Sequence, residues 1–128
     1  MVQFPNDDCT SSSSSTTTGT CYASSECASR SGTASGSCAA GFGVCCVIST
    51  STCGATVSTN NTYIRNPGYP SSYTPTSTGT CTTKISKVSS DICQLRLDFQ
   101  TVELGQTASS GVCTDTFQVT TSVDSSAT

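Results

Sequence analysis

Where apolar positions recur regularly along this chain, they recur every second residue. Leu95, Leu97 and Phe99 alternate with Gln94, Arg96, Asp98 and Gln100, the pattern of a strand with one buried and one solvated face. Phe117, Val119 and Val123 continue the alternation further along. The run Gly41-Phe42-Gly43-Val44-Cys45-Cys46-Val47-Ile48 is rich in β-branched and aromatic side chains and predicts another strand. No segment sustains an apolar period of 3.6 residues, so no helix is predicted. Between the strand-like runs, Asn66-Pro67-Gly68-Tyr69-Pro70 and Tyr73-Thr74-Pro75 remove ladder donors and fix φ, which predicts a turn-rich crossing. The stretch 10–20 is almost entirely Ser and Thr. It offers too little apolar area to offset its ordering entropy and reads as a flexible loop or spacer.

Composition changes this picture by denying the chain an ordinary core. Only 34% of its 128 residues are hydrophobic, Trp is absent, and Ser and Thr together number 49. Ten cysteines offset the deficit. At this density cysteines persist as bridges in oxidising surroundings, and each bridge contributes on the order of 2–4 kcal/mol by restricting the unfolded chain. The expectation is a secreted, all-β, disulfide-rich chain made of two small stapled units. The adjacent pair Cys45-Cys46 restricts the connectivity: neighbours in an extended strand project to opposite faces and reach different partners. A net charge of −3 with five Lys and Arg supplies no basic surface for nucleic acid or anionic lipid, and favours a polar or cationic partner. No apolar run approaches the roughly 20 residues of a membrane span. Met1-Val2-Gln3-Phe4-Pro5 lacks the character of an export signal, so a mature segment or a fragment of a longer secreted precursor is expected.

Catalysis finds little support in the residue types. Without a histidine, neither a Ser-His-Asp nor a Cys-His centre can be assembled, and bridged cysteines offer no thiolate. Asp7-Asp8, Asp91 and Asp98 read as surface acids, and Arg65 and Arg96 as exposed strand positions. No paired C-x2-C spacing is present, and the nearest to one, Cys21 to Cys27 and Cys38 to Cys45, are too wide for a zinc motif. Asn60-Asn61-Thr62 is an N-glycosylation sequon at Asn60, in a polar stretch ahead of a strand.

Two segments resemble known families. Cys9, Cys21, Cys27, Cys38, Cys45 and Cys46, with Gly19-Thr20-Cys21 and the closing Gly43-Val44-Cys45-Cys46, resemble the clip domain of arthropod extracellular proteins. That resemblance implies the pairing Cys9–Cys45, Cys21–Cys38 and Cys27–Cys46. The second half resembles a CUB domain. The residues that carry this likeness are Cys53-Gly54, the series Tyr63-Ile64-Arg65-Asn66-Pro67-Gly68-Tyr69-Pro70-Ser71-Ser72-Tyr73, Cys81, the strand-like 94–99 and Cys113-Thr114-Asp115-Thr116-Phe117. It implies bridges Cys53–Cys81 and Cys93–Cys113. It also implies a calcium site using Glu103 and Asp115, supported by Tyr73, with a third carboxylate beyond Thr128. The sequence departs from the family in having Thr83 where an aromatic is common, in a longer loop over 105–112, and in ending before the later strands of the sandwich.

The resulting expectation is a partial CUB-type β-sandwich (53–128) preceded by a small cysteine-rich, clip-like module (1–48), joined by a linker at 49–52. Its function is expected to be non-catalytic and extracellular. Tyr69, Tyr73, Glu103 and Asp115 would meet a protein or glycan partner bearing basic side chains, with calcium as the sole implied cofactor. The alternatives are an accessory segment of a clip-type protease cascade and a structural component of matrix or cuticle.

Overall fold

The strand Gly43–Thr50 is the spine of the protein. It is the longest element in a computed structural model that describes residues 2–74 and 79–121. The chain divides into two units, Met1–Cys93 and Gln94–Thr128. In chain order the first contains β1 (Asp8–Thr10), β2 (Thr18–Tyr22), α1 (Ser24–Ser29), β3 (Thr33–Cys38), β4 (Gly43–Thr50), β5 (Thr56–Val57), β6 (Thr62–Ile64) and β7 (Lys84–Ile85). The main sheet runs β1-β2-β4-β3 and is antiparallel throughout, while β6 pairs in parallel with the end of β4. A small parallel pair, β5 with β7, forms a separate sheet. The all-β, disulfide-rich architecture thus holds. The short helix α1 was invisible to periodicity because its six residues, SSECAS, bury only Cys27.

The core is made largely of cystine. Cys21, Cys27, Cys45 and Cys46 are buried, the last two at 0% and 1% exposure, and among the described residues only Tyr22 and Ile48 join them as large buried apolar side chains. On β4, alternation sends Cys45 to Cys9 of β1 and Cys46 to Cys27 of α1, while β2 and β3 are stapled by Cys21–Cys38. The Cα atoms of these pairs lie 5.8, 6.0 and 5.7 Å apart, within the usual disulfide span. Val44, Cys46 and Ile48 share one face of β4, and Tyr22 and Cys27 pack on it. Outside that cluster, Arg30 places its guanidinium 4.7 Å from the Tyr22 ring centroid and bonds Glu26 at 2.9 Å. Both partners of that ion pair are part-exposed, so it adds only about 0.2–0.5 kcal/mol.

Two glycines permit this close cystine packing. A Cβ on Gly32 would strike Sγ of Cys46 and come within 3.0 Å of Sγ of Cys27. A Cβ on Gly19 would meet the carbonyl oxygen of Cys46 and lie 3.3 Å from Sγ of Cys45. Bridges and strands therefore approach one another at a spacing that a side chain would prevent.

The Ser/Thr stretch 10–20 is ordered rather than a spacer. Thr18 to Thr20 belong to β2, and Ser11 is buried. Ser11 N–H donates to Thr17 O at 2.9 Å, Thr17 N–H to Ser14 O at 3.2 Å, and Ser12 N–H to Ser35 O at 3.0 Å. The bulge between Ala34 and Ser37, at Gly36 with φ +100°, breaks the β3–β4 register beside this contact. Ordering this stretch is inexpensive because Cys9 and Cys21, on either side of it, are anchored by bridges, and its hydroxyls bond one another.

The expected linker 49–52 likewise begins inside an element, since Ser49 and Thr50 belong to β4 and pair with Tyr63 and Ile64. The Tyr63 hydroxyl accepts the Thr18 N–H at 2.9 Å, and Asn61 Nδ2 donates to Asp8 Oδ1 at 2.8 Å. The 60–64 segment is thereby tied to β1 and β2. Substituting Tyr63→Phe is expected to lower the stability of the unit by about 0.5–1.5 kcal/mol in chemical denaturation, because the Thr18 N–H loses its acceptor while the ring remains.

The strand expected at 94–99 does not form. No strand occurs among the described residues from 86 to 121, and Leu95, Leu97 and Phe99 are exposed. Alternation supplies a face but not a partner; without a neighbouring ladder an extended segment has unpaired backbone groups and nothing to pack against. Phe117 and Val119 are exposed too, and Val123 lies outside the described residues. Within Gln94–Thr128 the rings of Phe99 and Phe117 meet edge to face, with centroids 5.3 Å apart.

Candidate functional site

The residues singled out for binding are divided between the two units. Tyr69 and Tyr73 are exposed in Met1–Cys93, whereas Glu103 and Asp115 are exposed in Gln94–Thr128. Tyr69 sits under the Arg65 guanidinium, 5.6 Å from the ring centroid. Asp115 uses Oδ2 to accept the Gly105 N–H at 2.6 Å. Among the described residues no three acidic or thiol side chains converge in a metal-binding group. Asn60 is exposed in the turn entering β6, with Thr62 Oγ1 donating to Thr59 O at 2.7 Å.

Four of the five expected bridges are formed, including Cys53–Cys81 with a Cα separation of 4.8 Å. The fifth is not. Cys93 and Cys113 are exposed free thiols, with Cys93 Sγ donating to Asp91 O at 3.5 Å. A disulfide needs two Cα atoms held within about 7 Å with their Cβ atoms facing. Neither cysteine lies in a strand or helix that would fix that geometry.

A surface concavity lies instead at the start of the chain, against the Cys21–Cys38 bridge. It is a surface cleft of about 480 Å³ lined by Phe4, Pro5, Asp7, Asp8, Ala39 and Phe42 among others. The Cys21 N–H donates to Asp7 O at 2.8 Å, which pins the N-terminal segment to β2. The Phe4 ring lies over Gly43, where an added Cβ would come within 2.8 Å of both the ring and Cys21 Sγ. The turn that leads into Phe42 is strained. Ala39, Ala40 and Gly41 have φ values of 50°, 54° and 92°, a left-handed run that costs a non-glycine residue about 1–2 kcal/mol. The turn ends in Phe42, which is 63% exposed despite its size.

No family model, curated protein or solved structure matches the chain. The likeness to clip and CUB domains therefore rests on the sequence motifs alone.

The electrostatics of the cleft are one-sided: two carboxylates line it and no Lys or Arg does. Asp8 is already engaged by Asn61, while the Asp7 carboxylate has no partner among the described residues. Two aromatic rings beside a free carboxylate can accept a cationic side chain, through ring-face attraction and a charge-assisted hydrogen bond. The sequence carried part of this signal in Asp7-Asp8. Phe42 looked like an ordinary strand residue, and nothing local showed that Phe4 folds back onto Gly43. Among the described residues no helix is long and apolar enough to cross a membrane.

Proposed function

We propose that this chain is a non-catalytic extracellular binding module whose N-terminal cleft receives a basic side chain from a protein partner. The observation that carries this reading is the strained Ala39-Ala40-Gly41 turn, which leads into the exposed Phe42 of a cleft also lined by Phe4 and by Asp7, whose carboxylate has no partner among the described residues. Conformational strain that presents an exposed aromatic is stability given up, and such strain is concentrated at binding sites. Four disulfides support oxidising surroundings, and the net charge of −3 favours a cationic partner. In an amide-resolved NMR titration, a short arginine-containing peptide is expected to shift the signals of Ala39 to Gly43, and its glutamate counterpart is not. Phe42→Ala is expected to weaken the peptide about tenfold, and Asp7→Asn to weaken it and flatten its salt dependence. Equal binding of both peptides would refute the reading.

A second reading is favoured by a separate observation. The bridges Cys9–Cys45, Cys21–Cys38 and Cys27–Cys46 have the connectivity that the clip resemblance implies. That supports an accessory role in an extracellular protease cascade, in which the cleft would dock a neighbouring component. A full-length gene product without a trypsin-like domain would count against it.

A further inference from the structure

A second groove in the Met1–Cys93 unit has the opposite character. It has a volume of about 380 Å³, and Val47, paired with Thr33 across β3 and β4, lies within it. Its walls carry the hydroxyls of Ser11, Ser13, Thr17, Thr33, Ser35 and Ser49, with the guanidinium of Arg65 at one side. This volume falls within the range of about 300–1,000 Å³ typical of small-molecule sites.

The hydroxyls are organised rather than scattered. Ser11 Oγ bonds Ser35 Oγ at 2.5 Å and Ser13 Oγ at 2.8 Å, and Ser35 Oγ also bonds Ser13 Oγ at 3.2 Å. Ser11 is buried and fixed, so the set is presented on a rigid base. Each hydroxyl has one donor and two acceptor positions; Ser11 Oγ, which also accepts the Ser13 N–H, and Ser35 Oγ, which also bonds Ser12 Oγ, have all three engaged, and Ser13 Oγ keeps one. The side chains of Thr17 and Thr33 make no hydrogen bond among the described residues.

Arg65 is preorganised as well. Its backbone N–H donates to Thr50 O at 3.0 Å, its Nη2 donates to Ser49 Oγ at 2.5 Å, and the group stacks on Tyr69. It has no carboxylate partner among the described residues, unlike Arg30 and Arg96. A planar fork fixed at the edge of a hydroxyl-lined groove is suited to bind a carboxylate with two parallel bonds.

We infer that this groove binds an acidic sugar residue, a pyranose bearing a carboxylate. The carboxylate lies on Arg65, the ring hydroxyls exchange hydrogen bonds with Thr17, Thr33 and Ser13, and the apolar ring face rests on Val47. The site is separate from the Phe4–Phe42 cleft, so the two readings stand or fall independently.

The test is an amide-resolved NMR titration of the full, oxidised chain with glucuronate, glucose and acetate in parallel. Glucuronate is expected to shift the signals of Ser11, Thr33, Ser35 and Val47 with a dissociation constant on the order of 1 mM, and glucose and acetate to bind at least about tenfold more weakly. Arg65→Gln is expected to weaken glucuronate about tenfold or more, with Arg65→Lys recovering little because a point charge lacks the fork. Thr33→Val changes an exposed, unpartnered hydroxyl and is expected to weaken glucuronate while leaving the weaker acetate binding unchanged. Acetate binding as tight as glucuronate would reduce the groove to an anion site and overturn the proposal. Glucose binding as tight as glucuronate, or no shift with any probe, would overturn it too.

Discussion

Replacing Cys27 and Cys46 together with alanine is expected to destabilise the Met1–Cys93 unit by about 2–5 kcal/mol, enough to leave it largely unfolded at physiological temperature. Two effects act together. The bridge closes a sequence separation of 19 residues, so its removal restores freedom to the unfolded chain. It also occupies the centre of the only cluster of buried apolar side chains among the described residues, with Tyr22 and Ile48 against it. With so few large side chains nearby, nothing can expand into the space left by two sulfur atoms. Denaturation followed by tyrosine fluorescence would measure the loss. A transition within about 0.5 kcal/mol of the parent would mean that the cystine core is not what holds the sheet together.

Gly19→Ala is the second large effect, and it tests backbone spacing rather than covalent linkage. The added methyl group would run into the carbonyl of Cys46, a backbone atom at the centre of β4 that cannot rotate aside. Relief requires β2 and β4 to separate where Thr20 pairs with Cys46. A loss of about 1–3 kcal/mol is expected, measured by the same denaturation experiment, with slower recovery of the native disulfides on oxidative refolding. Alanine normally stabilises a strand relative to glycine, by roughly 0.5–1 kcal/mol, so the sign itself is diagnostic. A more stable Gly19→Ala protein would show that the close approach is not a packing constraint.

The cysteine pattern made much of the first unit legible in advance. Cys45-Cys46 within a β-branched run indicates a central strand with partners on both faces, and that strand organises the sheet. The ordered 10–20 segment was not legible, because its order comes from bridges at its two ends and from hydroxyls meeting Ser35 across the fold, none of which is a local property. For the opposite reason 94–99 was misread: Leu95, Leu97 and Phe99 have ideal strand spacing, but spacing supplies no neighbour to pair with. The same limit applies to Cys93 and Cys113, whose positions in the sequence suit a loop closure that no strand or helix supports. At the candidate site the carboxylates of Asp7 and Asp8 were visible as charges, while the cleft beside them depends on Phe4 returning to Gly43 and on a left-handed turn at two alanines. Alanine gives no sequence-level warning of positive φ.

The central claim is that a cage of three bridges around β4 replaces a conventional core. Peptide mapping of the unreduced protein by mass spectrometry, with fragmentation between Cys45 and Cys46, tests it most directly. The structure predicts Cys9 linked to Cys45, Cys21 to Cys38 and Cys27 to Cys46, with Cys53–Cys81 as a separate loop. A bridge between any of the first six cysteines and the last four, or a free thiol among those six, would contradict it.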